Sequence, residues 1–198
     1  MEHEVGHSAR KRQVARASLV FAAAYLVLIT LRFLAAHYSG LPEESSLIRA
    51  ARLDSGNAAY AHSAGRFELL ASSSPQTALP WLEKATHLNP HKADYWVDLA
   101  LAQQAVGNTA AERDDLRQAL AAAPRTPEIA WQAANLFLAQ GSSDDAMRAF
   151  RMVIENDPPL VSLAIQTCWK IHPDAQFLLE NVITPNADEP FLDRKSVV

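Results

Sequence analysis

From Ala93 to Pro158 the chain carries one pattern twice, and this repetition restricts the possible folds more than any other feature. A shift of 34 residues lays Ala100 on Ala134, Ala105 on Ala139, Gly107 on Gly141, Leu116 on Phe150, Arg117 on Arg151, Ala119 on Val153, Leu120 on Ile154 and Pro124 on Pro158. A small residue, a glycine, bulky apolar residues and a proline thus return in fixed order. A period of about 20 to 50 residues marks stacked units, each too small to bury its own apolar face.

Each unit reads as two helices. Between Ala93 and Val106, the residues Trp96, Leu99, Ala100 and Gln103 to Val106 fall at helical spacing, and Gly107 supplies the permissive backbone that ends a helix. Asn108 or Thr109 opens a second helix with Leu116, Ala119 and Leu120 on its inward face, and Pro124 stops it. Ala100 and Ala119 are where two backbones can approach closely, with Leu116 filling the space between hairpins. Helix, turn and helix at a period of 34 resembles the tetratricopeptide repeat (TPR) family, over residues 58–158. The expected fold is all-α: an N-terminal transmembrane helix, a short TPR α-solenoid of about three repeats, and a C-terminal helical hairpin.

Three repeats are expected at 58–92, 93–126 and 127–160. In the first, Asn57 caps a helix bearing Tyr60, Gly65 and Leu69, and Gly65 takes the close-packing position of Ala100 and Ala134. Its second helix aligns on Ala78, Leu82, Ala85 and Pro90, and the turn at Ser72 to Pro75 holds one extra residue. Pro80 would kink a helix begun at Pro75, so a shorter helix starting near Thr77 is expected. Thr126-Pro127-Glu128 predicts a cap, a first-turn proline and an acidic first turn. Residues 161–183 form a partial repeat or capping hairpin, with Ala175, Leu178, Leu179 and Val182 on one face, and 184–198 a loose tail.

The N-terminal third carries a second signal. Residues 1–16 end in Arg10, Lys11, Arg12 and Arg16, after which Ala17 to Leu31 holds no charge. With Arg32 snorkelling to the interface, residues 17–38 make a 22-residue apolar span, about 33 Å of helix. An uncleaved signal anchor, a cleaved signal peptide and a buried core helix all fit such a run. The anchor is the favoured reading, because Leu34-Ala35-Ala36 makes a poor cleavage site. The preceding basic cluster then places the N-terminus in the cytoplasm and the repeats on the periplasmic or other extracytoplasmic side of the inner membrane. Residues 39–57 read as a linker with a short helix, Leu47, Ile48 and Ala51 sharing a face, which could stack under the first repeat.

Little points to chemistry. The net charge of −4 advertises no nucleic-acid surface, and a single cysteine, Cys168, leaves no disulfide framework. No phosphate loop, zinc-protease string or nucleophile elbow occurs. His87 and His91 are four apart but straddle a helix end at Pro90, and Cys168 with His172 lacks a third ligand. Asp114-Asp115 and Asp144-Asp145 sit early in second helices, where they meet the helix dipole. No catalytic residue, cofactor or metal is expected.

What the resemblance implies is a surface. In TPR proteins the first helices of successive hairpins line a concave groove that takes peptide segments. Carried onto this chain, the groove would present His62, Arg66 and Leu69; Asp94, Val97, Leu101 and Gln104; and Glu128, Trp131, Asn135 and Leu138. Trp131 is either an anchor for a partner or packed on the adjacent helix. The Lys and Asn set by which some TPR domains clamp a C-terminal carboxylate is not reproduced, with only Asn135 and Arg66 resembling parts of it. The implied role is a non-catalytic adaptor or scaffold with a protein or peptide partner. The alternatives are a permanent structural subunit of a membrane or envelope complex, or an exported soluble TPR protein.

Overall fold

The computed structural model describes residues 2–41 and 43–183, with side chains from residue 13 onward, so the expected tail lies outside the described residues. Among the described residues ten α-helices follow one another: α1 (Glu2–Ser39), α2 (Glu44–Leu53), α3 (Ala58–Leu70), α4 (Pro75–Leu88), α5 (Ala93–Ala105), α6 (Thr109–Ala122), α7 (Pro127–Ala139), α8 (Ser143–Asn156), α9 (Val161–Ile171) and α10 (Ala175–Asn181). No strand occurs among the described residues.

Antiparallel neighbours pair as hairpins, α3 with α4, α5 with α6 and α7 with α8, and each hairpin packs on the next through α4–α5 and α6–α7 contacts. The first helices also touch in succession, α3 on α5 and α5 on α7. The same pattern extends beyond the three repeats. α2 pairs with α1 and packs on α3, while α9 covers α8 and α10 closes on both.

The turns inside hairpins explain the glycines. Gly107 and Gly141 both adopt φ 78°, a left-handed conformation that Cβ-bearing residues enter only at a cost. Each closes the same pair of bonds. The Gly107 and Asn108 amides donate to Gln104 and Gln103 carbonyls, and the Gly141 and Ser142 amides donate to Leu138 and Phe137 carbonyls. The longer first turn contains no glycine, and Ser73 takes the left-handed role at φ 51°.

Most positions that the period places inside are buried, although Leu120, expected on the inward face of α6, is half-buried. Leu82, Leu116, Ala119, Phe150, Val153 and Ile154 are all fully buried. At Gly65 a Cβ would lie 2.7 Å from Leu82 Cγ, so the absence of a side chain lets α3 and α4 approach. Cys168 is fully buried, and burial pushes its thiol up to about 11, which suits a small core residue.

Four local expectations need correction. α4 begins at Pro75, so Pro80 lies within it rather than in a first turn. Its helix persists because Ala78, Leu82 and Ala85 are held in the core, while Gln76, whose carbonyl loses its partner, is exposed to water. Thr126 precedes Pro127 at the start of α7, but its side chain makes no cap hydrogen bond. The stripe that α2 buries is Ser46, Ala50 and Ala51, turned from the expected Leu47, Ile48 and Ala51 face. On α10, Leu178 and Val182 are buried, whereas Ala175 and Leu179 are exposed.

α1 contains a stretch, Gln13–Ser39, long and apolar enough to cross a membrane. Its side chains are mostly exposed, Phe21 at 76 % and Leu19 at 70 %, so it is not a core helix of this chain.

Candidate functional site

The first helices α3, α5 and α7 run side by side, and their outward positions form the candidate surface. An apolar floor comes first. Leu69, Leu101 and Leu138 are half-buried against separate core clusters. Val97 does not belong to the surface. It is 3 % exposed and packed with Ala93, Ala119 and Ile129, which places it in the core.

Trp131 is half-buried. Its ring meets Phe150 of α8 edge-on at 5.4 Å between centroids, and part of it remains exposed. The Asn135 side chain donates to the Trp131 carbonyl one turn back. Arg66, Asp94, Glu128 and Asn135 are exposed, with Asp94 paired to Lys92 at 3.0 Å.

The polar centre of this face is a residue absent from the expected set. Asp98 is buried at 7 % exposure, and its carboxylate accepts a 2.6 Å hydrogen bond from His62 Nε2 of the preceding hairpin. Arg66, one helical turn beyond His62, places its guanidinium 3.8 Å from the same oxygen. The His62 ring also stacks on Tyr95 at 4.3 Å. Thus α3 and α5 are joined by a polar bridge on an aromatic base. A sequence signal existed: Asp98 is the lone acid in the apolar run Tyr95 to Leu101, and a buried carboxylate needs partners. Further along α5, Gln104 donates to Glu112 Oε1 at 3.0 Å, satisfying a carboxylate only 1 % exposed.

The second helices carry a different cluster. Asp145 lies at 8 % exposure, and Arg113 and Arg117 of α6 reach it together with Arg148 of its own helix. Burial works to raise its carboxyl, but the Arg148 hydrogen bond and the Arg117 charge outweigh it and hold the group below the usual carboxylate range. Asp145 is therefore a clamp between hairpins as well as a first-turn acid. Asp114 and Asp115 lie beyond the first turn of α6, where the dipole has faded. Burial, with Asp114 and Glu83 adding negative charge, pushes Asp115 up to about 7.

The other residues with ligand or nucleophile chemistry lie apart from these clusters. His87 and His91 are exposed at the end of α4, and His172 stacks on Phe177 while Cys168 points into the core. Among the described residues no three His, Cys, Asp or Glu side chains are grouped to hold a metal ion.

No family model matches the chain, and no curated protein matches it. Among solved structures it is similar to the crystal structure of MamA protein, at 14% sequence identity and a TM-score of 0.57, covering 86% of this chain and 95% of that one. At this identity the likeness speaks for the fold alone. The fold is an all-α, TPR-type solenoid preceded by a long apolar helix.

Proposed function

We propose that this chain is a membrane-anchored, non-catalytic scaffold whose first helices line a concave groove for a peptide segment of a partner protein. The observation that carries the reading is the register of three stacked hairpins, which aligns α3, α5 and α7 and leaves Arg66, Glu128 and Asn135 exposed over half-buried leucines. A peptide with both charged and apolar residues fits such a face, the leucines and Trp131 supplying contact area and the rim groups orientation. The bridge from His62 to Asp98 serves as a preformed wall, which lowers the ordering cost of binding.

The apolar helix acts as a retained anchor in this reading. Ala35 is fully buried against α2, whose Ala50 and Ala51 are each 1 % exposed. Cleavage after Ala36 would uncover that contact, which supports retention over removal. The basic cluster before the span favours a cytoplasmic N-terminus and repeats on the extracytoplasmic side.

The test uses the full chain in detergent micelles. Peptides selected from a displayed library are titrated by fluorescence anisotropy against the wild type, Glu128→Gln and Asn135→Ala. The expected result is binding that each variant weakens by about tenfold, a loss of about 1.4 kcal/mol, without a change in melting temperature. Selected peptides that bind all three proteins equally would overturn the groove. A second reading, a permanent subunit of a membrane complex, is favoured by Leu163 at 47 %, Trp169 at 47 % and Leu179 at 59 % exposure on the last hairpin. It predicts that the purified chain self-associates and selects no peptide.

A further inference from the structure

The anchor and the array are one continuous body. α1 runs unbroken from Glu2 to Ser39, and its final turns form the first wall of the solenoid, with Ala35 packed beneath α2. α2 then returns antiparallel along α1, bringing Asp54 to within 4.0 Å of Arg32 and Arg49 over the Tyr38 ring. The contacts from α1 to α2 and from α2 to α3 follow the same order as those between later hairpins.

This packing sets where a bilayer ends. If lipid reached Tyr38, the whole of α2, with Glu44, Arg49, Arg52 and Asp54, would lie in hydrocarbon, which charged groups strongly disfavour. The uncharged stretch Ala17 to Leu31 is 15 residues, about 22 Å of helix, and the stems of Arg16 and Arg32 extend its reach toward the roughly 30 Å hydrocarbon core. Arg32 therefore marks the outer surface, so the span in lipid ends there rather than at Tyr38, where the apolar run alone placed it.

The direction of each helix then follows from connectivity. α1 leaves the bilayer, α2 returns, α3 leaves and α4 returns. Loops joining hairpins, 54–57 and 89–92, come back to the lipid side, whereas the turns around Ser73, Gly107 and Gly141 point away. At the first of these loops a shallow polar depression lies among Arg32, Asp54, Asn57 and Tyr60, level with the end of the span.

We propose that the repeat array is seated on the bilayer, with its surface at Arg32 and the loops 54–57 and 89–92 facing phospholipid headgroups, rather than hanging on a flexible tether. The proposal rests on the anchor reading, and the experiment separates the two. Full-length protein carrying a fluorophore on a single introduced cysteine, at Gly56, His91, Ala71 or Ser143, is reconstituted in phosphatidylcholine vesicles containing headgroup-nitroxide lipid. Native Cys168 is buried and stays unlabelled. A Cβ at Gly56 meets nothing within 4 Å, and the other three positions are exposed. The expected result is loss of fluorescence at Gly56 and His91, with none at Ala71 and Ser143. Spin labels at Phe33 and Leu28 provide the depth: Leu28 reads as lipid and Phe33 as headgroup. Equal quenching at all four sites, or a lipid reading at Phe33, overturns the seating while leaving the anchor intact. Protein that fails to float with the vesicles overturns the anchor itself.

Discussion

Gly65 is the residue on which the first repeat turns. Its hydrogen stands where a methyl group would press on Leu82 at 2.7 Å, and Leu82 is fully buried, so it has little room to yield. Gly65→Ala is expected to destabilise by about 1–3 kcal/mol despite the better helix propensity of alanine, read as a lower urea midpoint. Gly56→Ala, with open space around it, changes stability by less than about 0.5 kcal/mol. Asp115 makes a pH prediction. Its Oδ2 is buried without a hydrogen-bond partner, and its folded pKa is raised from 3.8 to about 7. The folded state therefore holds the proton more tightly than the unfolded one. The stabilisation is complete below 3.8 and is lost as pH rises through about 7. With allowance for partial solvation, stability should fall by about 1–2 kcal/mol across that window, and Asp115→Asn should flatten the dependence in urea titrations at pH 5 and pH 8.

At the scale of elements, each helix is held by the next one. α4 contains an interior proline, and Pro80→Ala restores an amide that donates to the Gln76 carbonyl. A gain of about 1 kcal/mol is expected, checked as a rise in melting temperature, since the site is exposed and no packing opposes the change. α6 and α8 are joined by Asp145. Its lowered carboxyl contributes stability that is present above the ordinary carboxylate range and is lost as pH falls through the folded value. Asp145→Ala removes a buried charge that three arginines face and that accepts from Arg117 and Arg148, and is expected to cost about 1–3 kcal/mol at neutral pH, with less acid sensitivity than the wild type in denaturant melts. α3 and α5 are bridged in the same manner by His62 and Asp98.

For the whole molecule, the α1–α2 contact makes the anchor a structural part of the array. Removing residues 1–39 uncovers the face of α2 that packs on α1, so α2 should lose amide protection in hydrogen exchange while α5 to α8 keep theirs. Equal loss throughout would mean that the stack unfolds as one unit rather than by nearest neighbours.

The period of 34, the two left-handed glycines, the small residue at Gly65 and the apolar faces of α4, α6 and α8 were all readable in the amino-acid order, because backbone conformation and helical periodicity are local properties. They determine a stack of hairpins behind an apolar helix. The start of α4 was not readable, since burial of Leu82 overrides the local cost of Pro80. Nor was the burial of Val97, or the joining of His62 to Asp98 across 36 residues. Only the tertiary structure decided which polar groups of the first helices are spent on each other and that α2 lies against the end of α1. Those outcomes depend on how far one helix rotates against another, and side-chain spacing along a single helix carries no record of that angle.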